Sequence, residues 1–441
     1  MATVVLFGNG PLPDSEASYL SFPQLRFEQF LKGLILGGHT VLVVSVEASP
    51  LVSEIEGEGW KGITVKAEST GWLEKARGFI SDSNPDCVVA AGPYNSVRLA
   101  TMACGDLPLW VDIPGDPFAE AQVKDALNSS TEAMSNMAAT YASSYARGDR
   151  FSAISCSQRN ALLGQLGLSG RLACAPLGHE WVSVVEGAYA FGEVIPRGEK
   201  QAPGDKFVVA LVGGYNTWLD GETILEGLLL AMDRNIGLYV VSTGGAIPNH
   251  HNETYERFLE GALSSRHSER FSFHGWLPHT KVLTLLEGAD VGLTMDRVGI
   301  EAQLGARTRV IFFFHRGLDV VTTTGSDFTK EMVNRGFAHG VGVEDVEGLA
   351  VALGKLVRGN ERGRVSSAQS YLESRHSIEQ LSVELNDWVS APLRVESVET
   401  PLSLVSSELE SVRSELREVY SSITWRVLGR LFRTLKRMFR G

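Results

Sequence analysis

Short apolar runs closed by glycine alternate with longer segments of helical periodicity along most of this chain. Thr3-Val4-Val5-Leu6-Phe7 reads as a buried strand that runs into Gly8-Asn9-Gly10-Pro11. Leu25, Phe27, Phe30, Leu31, Leu34 and Ile35 follow at helical spacing, Gly37-Gly38 ends that helix, and Thr40–Val44 is the next strand. Strand, turn, helix, turn, strand is the repeating unit of a parallel sheet. Cys87–Ala91, Leu107–Ile113 and Phe151–Ser155 extend the series, with a helix over Asn95–Cys104 and one long Ala/Ser/Met-rich helix expected from Ala119 to Arg147.

A softer stretch rich in Gly and Pro places a hinge around Pro176–Asp205. The alternation then restarts. Phe207–Val212 is a strand, Gly213-Gly214 a turn, Asp220–Met232 a helix and Leu238–Ser242 a strand. Arg270–His274, Val291–Met295 and Arg309–Phe314 are expected as further strands. The Val343–Leu356 region and a helix ending near Trp388 are expected to complete this second unit. Beyond Pro392 the pattern changes: Val405, Leu409, Val412, Leu416, Val419 and Ile423 form a heptad seam. That seam suits either a short coiled coil, and hence a homo-oligomer, or an amphipathic helix lying on its own protein. The expected organisation is two Rossmann-like α/β lobes, 1–185 and 186–392, with a helical tail over 393–441.

Composition narrows the functional classes. A hydrophobic content of 44% is ordinary for a water-soluble globular chain, and a net charge of −12 argues against a nucleic-acid partner. The first residues lack a basic, apolar leader, and no run of about 18 apolar residues is present, so the expected location is the cytoplasm. The four cysteines have neither metal-ligand nor disulfide spacing and read as core residues of a reducing compartment, so no metal site is expected.

Candidate chemistry gathers where strands end. Gly213-Gly214-Tyr215-Asn216 lies between a strand and a helix, where glycine lets backbone approach a ligand and free N–H groups hold an anion. Asp296, Arg297, Glu301 and Arg307 form a mixed-charge cluster after another strand, and an acid there can accept the hydroxyls of a ribose. Asp112 and Asp116, in Trp110–Pro117, are candidate bases for an acceptor hydroxyl, with Asp112 ranked above both Asp116 and Glu120. His179 and His274 are lesser candidates, and His250-His251 sit in a polar loop.

Gly213–Trp218, Phe273-His274-Gly275-Trp276-Leu277-Pro278, Ala289–Gly292 and Glu301–Gly305 resemble, in order and spacing, the donor lobe of GT-B glycosyltransferases of the group-1 (GT4-like) family. Gly8-Asn9-Gly10 and Gly37–Val41 resemble the acceptor lobe, so the likeness covers roughly residues 1–390. The resemblance implies a two-lobed α/β fold and transfer of a sugar from a nucleoside-diphosphate donor to a hydroxyl of a glycan or lipid-linked acceptor in cell-envelope polysaccharide synthesis. It implies that this co-substrate serves without a further cofactor. It also implies that Glu301 holds the ribose, with Arg307 the preferred diphosphate contact among Arg297, Arg307, Arg309 and Lys281. The family's E-x7-E spacing would put an acid at position 293, where Leu293 stands, so stereochemistry stays open. Two other classes remain: a nucleotide-sugar epimerase, which needs no acceptor, and a non-catalytic scaffold for glycan assembly.

The last 21 residues carry six basic side chains and no acidic ones. Trp425, Arg426, Arg430, Phe432, Arg433 and Lys436 belong to a pattern with an aromatic anchor, an apolar face and a basic face. That pattern suits a helix lying in an anionic membrane surface, or else one docked on its own globular body.

Overall fold

The computed structural model describes residues 1–12, 21–50, 52–66, 71–188, 206–235, 237–247, 252–359, 364–396, 411, 412 and 415. Most of the heptad seam and all the candidate membrane residues, from Trp425 to Lys436, lie outside the described residues, as do His250 and His251. Among the described residues, no helix is long and apolar enough to cross a membrane.

Eight strands build the first sheet: β1 (Thr3–Asn9), β2 (Thr40–Val46), β3 (Glu54–Gly57), β4 (Trp60–Val65), β5 (Cys87–Ala91), β6 (Leu109–Ile113), β7 (Arg150–Ala153) and β8 (Val182–Val184). Their order is β3-β4-β2-β1-β5-β6-β7-β8, parallel except for the β3–β4 hairpin. Val4–Phe7 are buried on both faces because helices cover both, which is why the strand reads as a continuous apolar run. The helix Phe22–Leu36 follows β1 and packs Phe27, Phe30, Leu31 and Leu34 against it.

The second sheet holds β9 (Phe207–Gly214), β10 (Leu238–Gly245), β11 (Phe271–Phe273), β12 (Val291–Thr294), β13 (Asp319–Thr323) and β14 (His339–Val341). All pairs are parallel, in the order β11-β10-β9-β12-β13-β14. Renumbered within the sheet this is 3-2-1-4-5-6, the doubly wound order, whose ligand crevice opens where the winding reverses between β9 and β12. The first sheet reverses in the same way between β1 and β5. The fold is α/β with two Rossmann-like lobes. The side chain of Ser155 donates to the Leu304 carbonyl at 2.7 Å, and the Ser157 amide and hydroxyl each donate to Asp327 at 2.8 Å, so the lobes touch directly.

Three elements differ from the sequence expectation. Residues 309–314 lie in a helix, Thr308–His315, not a strand: a short apolar run has no period to separate the two, and here four of its residues are buried. The single helix expected over 119–147 is two, Pro117–Asn128 and Glu132–Arg147. Ser129 takes φ 50° between them, and the Asp125 carboxylate accepts from the Ala133 and Met134 amides to open the second. Finally, the helix Val383–Ser390 does not complete the second lobe. Leu385 and Val389 insert into the core of the first, and Trp388 packs edge-on against Trp110 at 5.6 Å.

Candidate functional site

Both crevices open onto one cavity of about 490 Å3 between the lobes. Its floor on the second lobe is the end of β9, where glycine is sterically required. Gly213 has φ 89°, and a Cβ on Gly214 would stand 2.4 Å from the Ile247 side chain. The following helix, Gly221–Arg234, is capped by Asp220, whose carboxylate accepts from the Thr223 amide at 3.1 Å. The acid at position 220 is therefore accounted for as an N-cap.

The helix Thr308–His315 sends Thr308, Arg309 and Phe312 into the cavity and buries Val310, Ile311, Phe313 and Phe314 behind them. Arg309 reaches the glycine turn, where its Nη2 donates to the Gly214 carbonyl. Among the described residues no carboxylate pairs with Arg309. Burial pulls its pKa down to about 10, which leaves it charged at neutral pH. Arg307 is differently employed. Its guanidinium holds Asp296 at 2.7 Å and grips both oxygens of Glu301 at 3.0 and 2.8 Å. Thr323 Oγ1 donates to the other Asp296 oxygen at 3.0 Å. Burial alone would lower the Arg307 pKa, but the two carboxylates outweigh it and raise it. Burial raises the Glu301 pKa; Arg307 opposes that rise, while Asp296 and Glu120 add to it.

The first lobe answers with Glu120. The Pro114-Gly115 turn is shaped around it: Gly115 has φ 143°, and a Cβ there would lie 3.0 Å from Glu120 Oε1. Tyr94 donates its hydroxyl to Glu120 Oε2 at 2.5 Å and is itself held at φ 62°, rare for a bulky residue, with its amide on the Tyr141 hydroxyl at 2.9 Å. Desolvation raises the Glu120 pKa, opposed by Lys124, by the Tyr94 hydrogen bond and by the field of Arg307 from the other lobe. The helix that carries Glu120 packs against the short helix Ile300–Leu304 that carries Glu301.

Of the residues singled out in the sequence, Gly213, Gly214, Asn216, Asp296, Glu301 and Arg307 line this cavity together, joined by the lower-ranked Glu120 and Arg309. The following do not. Asp112 is fully buried behind it, with its oxygens taken by Arg26 at 2.9 and 2.7 Å, Ser152 at 2.6 Å and the Gly92 amide at 3.1 Å. A carboxylate so paired has no lone pair directed at a substrate. Asp116 caps its helix through Phe118 and Ala119 and accepts from Gln165 at 2.6 Å. Tyr215 turns into the core, its hydroxyl 3.1 Å from Ser242 Oγ. Arg297 faces away, its Nε donating to the Leu219 carbonyl at 3.1 Å beside Glu222 and Glu226. Gly8 and Gly10 are pressed against Phe27 and Ser45, and Asn9 ties the end of β1 to the Pro93 carbonyl at 2.8 Å. His179 packs edge-on against Trp181 at 4.4 Å, and neither it nor His274 lines the cavity. Trp276, from the Phe273–Pro278 segment, lines it too, and Tyr94 and Phe312 do so without any motif; only the non-glycine turn at Tyr94 marks its place, and that is a feature of conformation, not of sequence.

No protein-family model matches the sequence, and a search of curated proteins finds no match to it. Solved structures are similar over nearly the whole chain. Sucrose-phosphate synthase from Thermosynechococcus elongatus has a TM-score of 0.65 at 12% identity, covering 88% of this chain and 98% of that one. Alr3699/HepE from Anabaena, in complex with UDP-glucose, has a TM-score of 0.58 at 13% identity over 89% and 100%. A glycosyltransferase from Rickettsia africae ESF-5 has a TM-score of 0.59 at 14% identity over 89% and 99%. With its two doubly wound sheets and shared crevice, this chain has the GT-B fold of those structures.

Proposed function

We propose that this protein transfers a sugar from a nucleoside-diphosphate donor, bound without a further cofactor, to a hydroxyl acceptor. The observation that carries the reading is Arg309, a cation without a carboxylate partner among the described residues, set on the glycine turn at the reversal point of the second sheet. Free backbone and a fixed positive charge at that point suit a diphosphate leaving group, whose charge grows as the anomeric bond breaks. Arg309 replaces Arg307 as the phosphate contact because Arg307 is saturated by Asp296 and Glu301. Glu120 replaces Asp112 as the candidate base because it faces the cavity and Asp112 does not. Glu301 keeps a role at the ribose only if a bound donor draws it from Arg307.

Incubating the protein with a panel of nucleoside-diphosphate sugars and following release of the nucleoside diphosphate tests this. Turnover of one donor, reduced about a hundredfold or more in Arg309→Ala, is the expected result. Full activity in Arg309→Ala would remove that residue from the mechanism. Product formed from donor alone, with the sugar isomerised, would identify an epimerase instead.

The acceptor class read from the sequence, a glycan or lipid-linked molecule of the cell envelope, fits a catalyst held at the inner membrane face by its basic tail. Removing the residues after Val419 is then expected to release the protein from anionic liposomes; undiminished binding of the shortened chain would exclude the tail as the anchor.

A further inference from the structure

Glu120 stands in the first turn of the helix Pro117–Asn128, and a glutamate there can turn its carboxylate about several bonds. A base that takes one proton at one place needs that freedom removed. Tyr94 removes it from one side: its hydroxyl donates to Glu120 Oε2 at 2.5 Å, the length of a charge-assisted bond. Gly115 shapes the other side, where a Cβ would stand 3.0 Å from Oε1. Both residues, and Glu120 itself, line the cavity.

Tyr94 is itself held by contacts that run back to the same helix. Its backbone stands at φ 62° and ψ −108° before the helix Asn95–Ala103, a conformation that a bulky residue adopts when its surroundings impose it. The Tyr141 hydroxyl secures it by accepting from the Tyr94 amide at 2.9 Å. Tyr141 is buried and stacks on Tyr145 at 5.8 Å. The Tyr145 hydroxyl donates to Gln165 at 2.9 Å, and Gln165 donates to Asp116 at 2.6 Å. Asp116 caps the helix that carries Glu120 through the Phe118 and Ala119 amides, so the circuit of contacts closes. Burial and the charge of Glu120 push the Tyr94 phenol well above its ordinary pKa, so it keeps a proton to donate at neutral pH.

We propose that Tyr94 is a positioning residue of the transfer: it fixes Glu120 through Oε2 so that Oε1 takes the proton of the acceptor hydroxyl. This rests on the transfer reading with Glu120 as the base. As that proton passes to Oε1, the acceptor oxygen forms its bond to the anomeric carbon. The anomeric carbon–diphosphate bond breaks, and its electron pair leaves with the nucleoside diphosphate. Because Tyr94 bonds the ionised carboxylate, it also favours the form that can accept a proton, against the rise that burial imposes. A tyrosine that merely filled the wall would do neither, and its hydroxyl would be dispensable. Asp116, a candidate base in the sequence, serves at the far end of the same circuit.

Tyr94→Phe keeps the ring and the turn and removes the bond to Glu120, and two measurements on the full-length protein test it. In protein isotope-labelled at the glutamate carboxyl carbons, the Glu120 signal is the one missing from Glu120→Gln, and NMR follows its shift against pH. Tyr94→Phe is expected to raise its midpoint by about half a unit or more, since the lost bond favoured the charged form. With the nucleoside-diphosphate sugar that turns over, Tyr94→Phe is expected to lower kcat about tenfold or more and to leave the donor KM within about twofold. The acid limb of its rate profile should move upward with the NMR midpoint. An unmoved midpoint, or a kcat equal to that of the wild type, would overturn the assignment. A donor panel without turnover in the wild type would sink the transfer reading, and full activity in Glu120→Gln would remove Glu120 as the base. Both are separable from a failure at Tyr94, because the carboxyl titration needs no turnover.

Discussion

Glu120 is held between opposing influences, and its titration is the property most open to measurement. Burial raises its pKa, while Lys124, the Tyr94 hydroxyl and Arg307 restrain the rise. A base must be deprotonated to act, so a raised pKa moves the acid limb of the rate profile upward. We predict that kcat/KM falls with a one-proton slope as pH drops, starting above the ordinary carboxylate range. Glu120→Gln should abolish that limb and lower kcat by about a hundredfold or more. A wild-type acid limb that survives in Glu120→Gln would assign it to another group. The sequence ranks Asp112 first because it stands nearest the strand. What separates them is Arg26, 86 positions away, which claims Asp112 and leaves Glu120 to the cavity. A side chain's partners are set by tertiary contact, and nothing in the local spacing around Asp112 signals this one.

At the scale of elements, the alternation of buried runs and helical segments was legible because parallel strands buried on both faces read as unbroken apolar stretches. Residues 309–314 break that rule in the instructive direction. Their run is as apolar as a strand, yet it forms a helix whose cavity face carries Arg309 and Phe312, three residues apart. The short β13 and β14 and the β3–β4 hairpin also escape a reading based on periodicity. The helix Val383–Ser390 was legible as a helix but not as a first-lobe element, because its destination depends on the groove beside Trp110. Its placement predicts that Leu385→Ala removes core packing from the first lobe and destabilises the protein by about 2–5 kcal/mol, read by urea denaturation. A change within about 0.5 kcal/mol would mean that this helix does not pack where it is described.

Across the whole molecule, two doubly wound sheets bring their reversal points to one cavity, and each lobe supplies what the other lacks. The second contributes the glycine turn, Arg309 and the Asp296–Arg307–Glu301 network; the first contributes Glu120 and an apolar wall. Their fields already meet, since Arg307 acts on Glu120 and Glu120 on Glu301. The two-lobed fold and the second-lobe wall of the cavity were readable from the glycine turn and the strand-end charges. The first-lobe wall was not, because it is lined largely by proline and aromatic side chains without a motif. The central claim is that this cavity binds a nucleoside diphosphate through the Gly213-Gly214 turn and Arg309. Thermal unfolding with a panel of nucleoside diphosphates tests it most directly, since a ligand that binds only the folded chain raises Tm. The account predicts that at least one member raises Tm by several degrees at about a hundred times its Kd, and that Arg309→Ala loses the effect. An unchanged Tm with every nucleoside diphosphate would contradict it.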